Sequence, residues 1–263
     1  MNHLSPGCAR TALTALPLEI VCAASILVAI GRLDAAALLA TQVQTRASAP
    51  DDAAVKARAS AVLAAVELAR GDSSNAAITA AAALVPDLES TDRESWRDAS
   101  LLYLTSLQAS GQTDAAARET QVLKSWLLAR PDELSGFYAA FVDAEQARAE
   151  GGSESALRSY ALAWDAAGRL GIPDVLVTCA VPYVDLLIGS GRLEDASAIA
   201  GRIAPWDERD LRVAVAEAHL YKAMGQTAAW QKATERTIRL AGQRLAPTGA
   251  SRPAPKQDRV PGA

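Results

Sequence analysis

The sequence predicts an all-α protein, a solenoid of about six antiparallel helix pairs, and three observations carry that expectation. The first is a six-residue phrase, glycine followed five places later by alanine, at Gly31 to Ala36, Gly71 to Ala76, Gly111 to Ala116, Gly151 to Ala156 and Gly191 to Ala196, with the glycines 40 residues apart each time. A sixth copy begins at Gly225, 34 residues after Gly191, with Trp230 in the alanine place. Self-similarity at a period of 20 to 50 residues marks a stacked architecture whose units bury their apolar faces against their neighbours. The second is composition: more than one residue in five is alanine and only 5% are aromatic. Alanine loses no side-chain entropy in a helix, so helices are favoured over strands. The third is that apolar residues recur at helical spacing on both sides of each glycine, which places a hairpin of two helices around it.

In the first unit, Leu18, Ile20, Val21, Ile26, Leu27 and Ile30 form a largely apolar first helix, as expected of a terminal helix that something covers. Its partner runs from about Leu33 to Thr45, and 46–50 form a linker. The second unit carries Val55, Val62, Leu63, Val66 and Leu68 before Gly71 and a helix from Asn75 to Val85 after it. Pro86 stops that helix, and Thr91-Asp92-Arg93-Glu94 reads as a capping box opening the third unit. There Trp96, Leu101, Leu102, Leu104 and Leu107 precede Gly111, and Val122, Leu123, Trp126 and Leu127 follow it.

Pro131-Asp132 and Pro173-Asp174 open the fourth and fifth units as Pro50-Asp51 opens the second. Proline lacks the amide that a first helical turn leaves unpaired, and an acid there faces the positive end of the dipole. The fourth unit holds Phe137, Phe141 and Val142, then Leu157, Tyr160, Leu162 and Trp164. In the fifth, Pro182 is expected to kink the run from Val175 to Ile188. The sixth is introduced by Pro205 and Asp207 and ends with a helix from Ala228 to Leu240. The expected divisions are a poorly ordered N-terminal segment over 1–16, a repeat domain over 17–242 and a disordered tail over 243–263, where proline, glycine and charge replace apolar periodicity.

A two-helix hairpin must reverse within a few residues, and a glycine tolerates the positive φ this demands. Alanine five places on lets the second helix approach the first. Ala40, Ala80, Thr120, Ala200 and Thr234 repeat the small residue a turn later, with Tyr160 the exception.

This pattern of glycine, alanine and further small residues resembles the tetratricopeptide-repeat (TPR) family over about residues 17 to 242. The resemblance implies a right-handed superhelix whose first helices line a concave face that binds proteins or peptides. The period of 40 departs from the family's usual value of about 34, which only the last interval shows. Longer variants are similar to the repeat regions of bacterial transcriptional regulators, which implies a regulatory setting.

Enzymatic parts are missing. The two histidines, His3 and His219, stand apart; no HExxH, GxxxxGK, GxGxxG or repeated cysteine spacing occurs, so no catalytic residue, metal or cofactor is expected. Gly189-Ser190-Gly191 is a repeat turn with no following lysine, and Glu194-Asp195 sits where helix-start effects explain it. A net charge of −4 and a pI near 5.3 argue against nucleic-acid binding. Cys8, Cys22 and Cys179, an odd set, fit a reducing, cytoplasmic setting. The run from Leu16 to Ile30 is shorter than the roughly 20 residues a membrane helix needs, and it includes Glu19. A membrane anchor is therefore the lesser expectation.

Counting back from each turn glycine picks out the inner edge that the resemblance implies. The partner-binding candidates are Asp98, Thr105 and Gln108 in the third unit and Tyr138, Phe141, Glu145 and Arg148 in the fourth. Thr178 and Asp185 follow in the fifth, and Arg212, His219 and Lys222 in the sixth. Tyr138, Phe141 and Arg148 stand out because aromatic and arginine side chains concentrate binding energy. Asparagines of the kind that chaperone-binding members use to clamp a terminal carboxylate are almost absent: only Asn2 and Asn75 occur. All twelve aromatic residues lie between Trp96 and Trp230, which places larger core residues, or a ligand site, in the later units. The expected function is capture of a protein or peptide partner; the alternative is a signal- or small-molecule-sensing module of a transcriptional regulator.

Overall fold

Each turn glycine ends its helix in the same way. Gly31, Gly71, Gly111, Gly151, Gly191 and Gly225 have φ between +70° and +83°. The amide after each glycine reaches back to a carbonyl in the last helical turn, from Arg32 to Leu27 at 2.8 Å through Gln226 to Tyr221 at 2.9 Å. This is the Schellman arrangement, which satisfies carbonyls that a helix end leaves unpaired and turns the chain into the next helix at once.

The computed structural model describes residues 6–47, 52–85, 88–130 and 132–242; the tail expected over 243–263 lies outside the described residues. Among these there is no strand. The hairpins pair α1 (Pro6–Ala29) with α2 (Leu33–Arg46), α3 (Ala53–Ala69) with α4 (Ser73–Ala83), and, after the single turn α5 (Leu88–Thr91), α6 (Arg93–Ala109) with α7 (Thr113–Leu128). They continue as α8 (Glu133–Ala149) with α9 (Ser153–Leu170), α10 (Pro173–Gly189) with α11 (Leu193–Ile203), and α12 (Leu211–Ala223) with α13 (Thr227–Ala241). From α6 onward each helix packs on its successor, and the first helices of neighbouring hairpins also meet: α1 with α3, α3 with α6, and α10 with α12. The fold is the expected all-α solenoid of helix pairs.

The alanine stripe is the joint between helices. Ala36, Ala76, Ala116, Ala156 and Ala196 are all buried, and so are Ala40, Ala80, Thr120 and Ala200. Tyr160, the bulky exception, is fully buried as well. Around the stripe the core changes along the array. Val21, Leu33, Val43, Val62 and Val66 fill it in the first two hairpins, whereas Phe137, Tyr160, Trp164, Tyr183 and Leu187 fill it in the later ones.

Several local expectations are corrected. Helix α1 starts at Pro6, ahead of Leu18 where the apolar pattern of the first unit begins, and passes through Pro17. Asp92, not Thr91, caps α6: its carboxylate accepts the Ser95 amide at 3.2 Å, while Thr91 closes α5. The last hairpin begins at Leu211, where Asp210 accepts the Arg212 amide; Asp207 sits upstream, paired with Arg236 at 2.8 Å. Pro50-Asp51, Pro86 and Pro131 lie outside the described residues.

The array also returns on itself. Helix α13 ends at Gly242, whose backbone lies so close to the first hairpin that a Cβ placed there would stand 3.1 Å from the Gly31 carbonyl oxygen.

Candidate functional site

The inner face is written in a fixed register. Counting back from the turn glycine, positions three, six, ten and thirteen residues away fall on one side of each first helix. The twelve sequence candidates occupy this register in hairpins three to six. The structure extends it to the two hairpins where none was named: Val21, Ser25 and Val28 of α1 and Arg58, Ala61 and Ala65 of α3 line one cavity of about 330 Å³. Cys22, Val62, Ser95, Asp98 and Leu102 complete its wall. The same count from Gly31 and Gly71 finds the first six: five are short side chains that give little chemical signal, whereas Arg58 carries the same signal as Arg148 and was passed over.

Four candidates meet in the middle. Thr105 and Gln108 of α6 and Glu145 and Arg148 of α8 line a second cavity of about 420 Å³. Glu145 is fixed from two sides, by the Arg148 guanidinium and by the Tyr160 hydroxyl. Burial, aided by the Glu145 carboxylate, pushes the Tyr160 phenol far above its ordinary value, so it stays protonated and donates. The Gln108 amide nitrogen is buried with no hydrogen-bond partner. Arg148 also borders a third cavity of about 440 Å³ together with Asp185.

In the last two hairpins the candidates are tied across helices. Arg212 donates to Thr178 Oγ1 at 3.2 Å and to Asp174 at 2.7 Å, as well as to its own cap Asp210. Burial works against its charge, but the bonds to Asp210 and Asp174 prevail and hold it firmly protonated. His219 Nδ1 lies 2.9 Å from Asp185 Oδ1. Lys222 is exposed.

The two aromatic candidates are not free anchors. Tyr138 is half-buried beneath Arg97, whose guanidinium sits 4.7 Å from the ring centre. Phe141 is half-buried in a ladder that runs from Phe137 at 5.8 Å through Tyr160 at 6.2 Å to Tyr183. Both pack against the core, and neither lines the cavities described above. Asp98 remains at the rim, paired with Arg97 at 2.8 Å.

Among the described residues, no group of His, Cys, Asp and Glu is placed to hold a metal, and no helix is long and apolar enough to cross a membrane. The inner register borders side pockets of a few hundred cubic ångströms, with paired charges spaced between them. Pockets of this kind have the size to take individual side chains or small molecules.

No family model matches the chain, and no curated protein matches it. Solved structures do. The chain is similar to a Rap protein determined in complex with Competence and Sporulation Factor, with a TM-score of 0.65 and 12% identity over 80% of this chain. It spans 60% of the length of that Rap chain. It is also similar to BtubC (BKLC) from P. vanneervenii, with a TM-score of 0.51 and 16% identity over 81% of this chain and 89% of the other. At such identities the likeness is one of fold.

Proposed function

We propose that the protein is a non-catalytic scaffold whose inner face holds an extended or helical segment of a protein or peptide partner, in a bacterial regulatory assembly. The observation that carries this reading is the common register: first helices of successive hairpins turn the same four positions onto one curved face, and that face opens into pockets rather than closing into core. The complex of the similar Rap protein with Competence and Sporulation Factor supports it.

The test is a partner recovered from the native host, with its contact region mapped by cross-linking and its affinity measured by calorimetry. Arg148→Ala and Ser25→Arg, which remove a charge from the middle cavities and fill the first one, each weaken binding by more than ~1 kcal/mol with helical content unchanged. Arg158→Ala, at an exposed position on the second helix of its hairpin, leaves affinity as it was. Wild-type affinity in both inner-face variants would remove the assignment.

A second reading, a sensory module of a transcriptional regulator, draws on the first cavity, whose wall of Val21, Val28, Ala61, Val62 and Leu102 suits a compact apolar molecule. A thermal-shift screen separates the two, because a ligand selective for the folded state raises the melting temperature by mass action. A hit abolished by Ser25→Arg favours the sensor.

A further inference from the structure

The six hairpin turns share one backbone geometry but not one environment. Gly71, Gly111, Gly151, Gly191 and Gly225 are exposed; Gly31 is buried. The other end of the array covers it. A Cβ on Gly242 would lie 3.1 Å from the Gly31 carbonyl oxygen, tighter than ordinary contact, and 3.4 Å from that of Ile30, and the φ of +53° adds a second reason for a glycine there.

Beside this backbone contact a cavity of about 620 Å³ spans the two ends. Ala29 and Ile30 of the first hairpin form one wall, and Asp174, Val181, Arg212 and Val215 of the last two form the other. Val181, Arg212 and Val215 are register positions of the inner face, so the seam closes over the same surface that carries the groove. Elsewhere neighbouring helices interlock along their length, as α12 does with α13 and α1 with α2 and α3. Among the described residues the seam sets the end of α13 against a turn instead of interlocking two helices, and Ile30 beside it stays 56% exposed. A contact made by a turn and a chain end opens more readily than helices packed along their length.

We propose that the Gly31–Gly242 seam is a gate, closing the solenoid into a ring around its inner face and parting to admit bulky occupants. Its purpose rests on the reading of that face as a binding surface, but its existence is tested without an occupant. Cys22 provides the probe: it is exposed and lines the first inner cavity. Cys179 is buried, with its thiol pushed up to about 12 by burial and by the Glu145 carboxylate, and does not compete near neutral pH.

In a Cys8→Ser background, N-ethylmaleimide and a maleimide carrying a long polyethylene glycol chain are timed on Cys22. The closed ring predicts rapid reaction with the small reagent and slow reaction with the large one. Gly242→Val, which puts a branched side chain against the Gly31 turn, accelerates the large reagent about tenfold or more, because labelling follows the open population. Gly191→Ala, strained at φ +73° but with nothing within 4 Å of the added carbon, leaves the rate unchanged. Equal rates for the two reagents on the wild-type protein, or no acceleration in the Gly242 variant, overturn the proposal. If Gly242→Val does not fold, hydrogen exchange on the wild-type protein decides. Slower exchange at the Gly31 turn than at the Gly71 and Gly111 turns supports the seam, and equal exchange removes it.

Discussion

Nine residues beyond the turn glycine, the first two hairpins carry Ala40 and Ala80 and the fourth carries Tyr160, all three fully buried. The shared position does different work. In the first half, alanine lets two backbones close on each other, and the inner face above them is short and largely apolar: Val21, Ser25, Val28, Ala61 and Ala65. In the second half the tyrosine stacks on Tyr183 at 5.6 Å, meets Phe141 edge-on, and passes its hydroxyl to Glu145 on the inner face. Core and groove are therefore coupled at the fourth hairpin through one side chain. In the first two hairpins the groove is lined chiefly by short side chains beside an aliphatic core, with Arg58 the charged exception.

The sharpest way to break this comparison is Tyr160→Ala. Removing a fully buried aromatic residue costs about 3–5 kcal/mol, and here it also takes a donor from Glu145. Adding bulk at the equivalent early position, Ala40→Leu, overfills a tight joint and costs about 1–3 kcal/mol. Urea denaturation followed by tryptophan fluorescence reports on the later hairpins alone, since no tryptophan precedes Trp96, while circular dichroism reports on all of them. A cost below ~1 kcal/mol for Tyr160→Ala would mean that the aromatic ladder packs loosely and that core and groove are separate.

Much of this skeleton was legible in the sequence because it depends on local chemistry. A positive φ at Gly111 and a buried Ala116 follow from the needs of any tight hairpin, and the register of Asp98, Thr105 and Gln108 follows by counting from that glycine. What was not legible depends on distances between helices. Phe141 shares its register position with Val21, Ala61, Val181 and Val215, and the count places it on the inner face without saying how far the ring leans into the core. Thr91 and Asp92 are adjacent and both cap well, so only the hydrogen bond to Ser95 distinguishes them. The seam is still more remote from the sequence, because it is the sum of small rotations between all the hairpins.

Two carboxylates, one in each half, sharpen the comparison through pH. Asp92 caps α6 and receives the Arg58 guanidinium from α3, clamping the second hairpin to the third. Burial opposes its ionisation, but the bonds from Ser95 and Arg58 outweigh it and hold the carboxyl below its ordinary value. A depressed value means the stabilisation is complete above the unfolded value of about 3.9 and is lost as pH falls through the folded one. Asp92→Ala therefore costs about 1 kcal/mol at pH 7, and its deficit against the wild-type protein closes below about pH 4. A deficit independent of pH would assign the effect to packing instead of charge.

Glu217 behaves in the opposite sense, with a smaller effect. It is buried on α12, where Arg236 of α13 reaches it at 2.7 Å while also binding Asp207 at 2.8 Å and Glu208 at 3.0 Å. Burial raises its carboxyl above the ordinary value, the Asp207 charge adds to this, and Arg236, shared among three acids, only partly offsets it. A raised value means the ionised form is a burden in the folded state, present at pH 7 and relieved as pH falls through the folded value toward the unfolded one. Glu217→Gln keeps the shape and removes the burden, and Arg236 retains its other two acids. The variant is thus at least as stable as wild type at pH 7, by under ~1 kcal/mol, and the difference fades by about pH 4. If the glutamine variant instead loses more than ~1 kcal/mol at pH 7, the Arg236 bond dominates. The second half would then be clamped by charge as the first is at Asp92, and the contrast between the halves would rest on their aromatic cores alone.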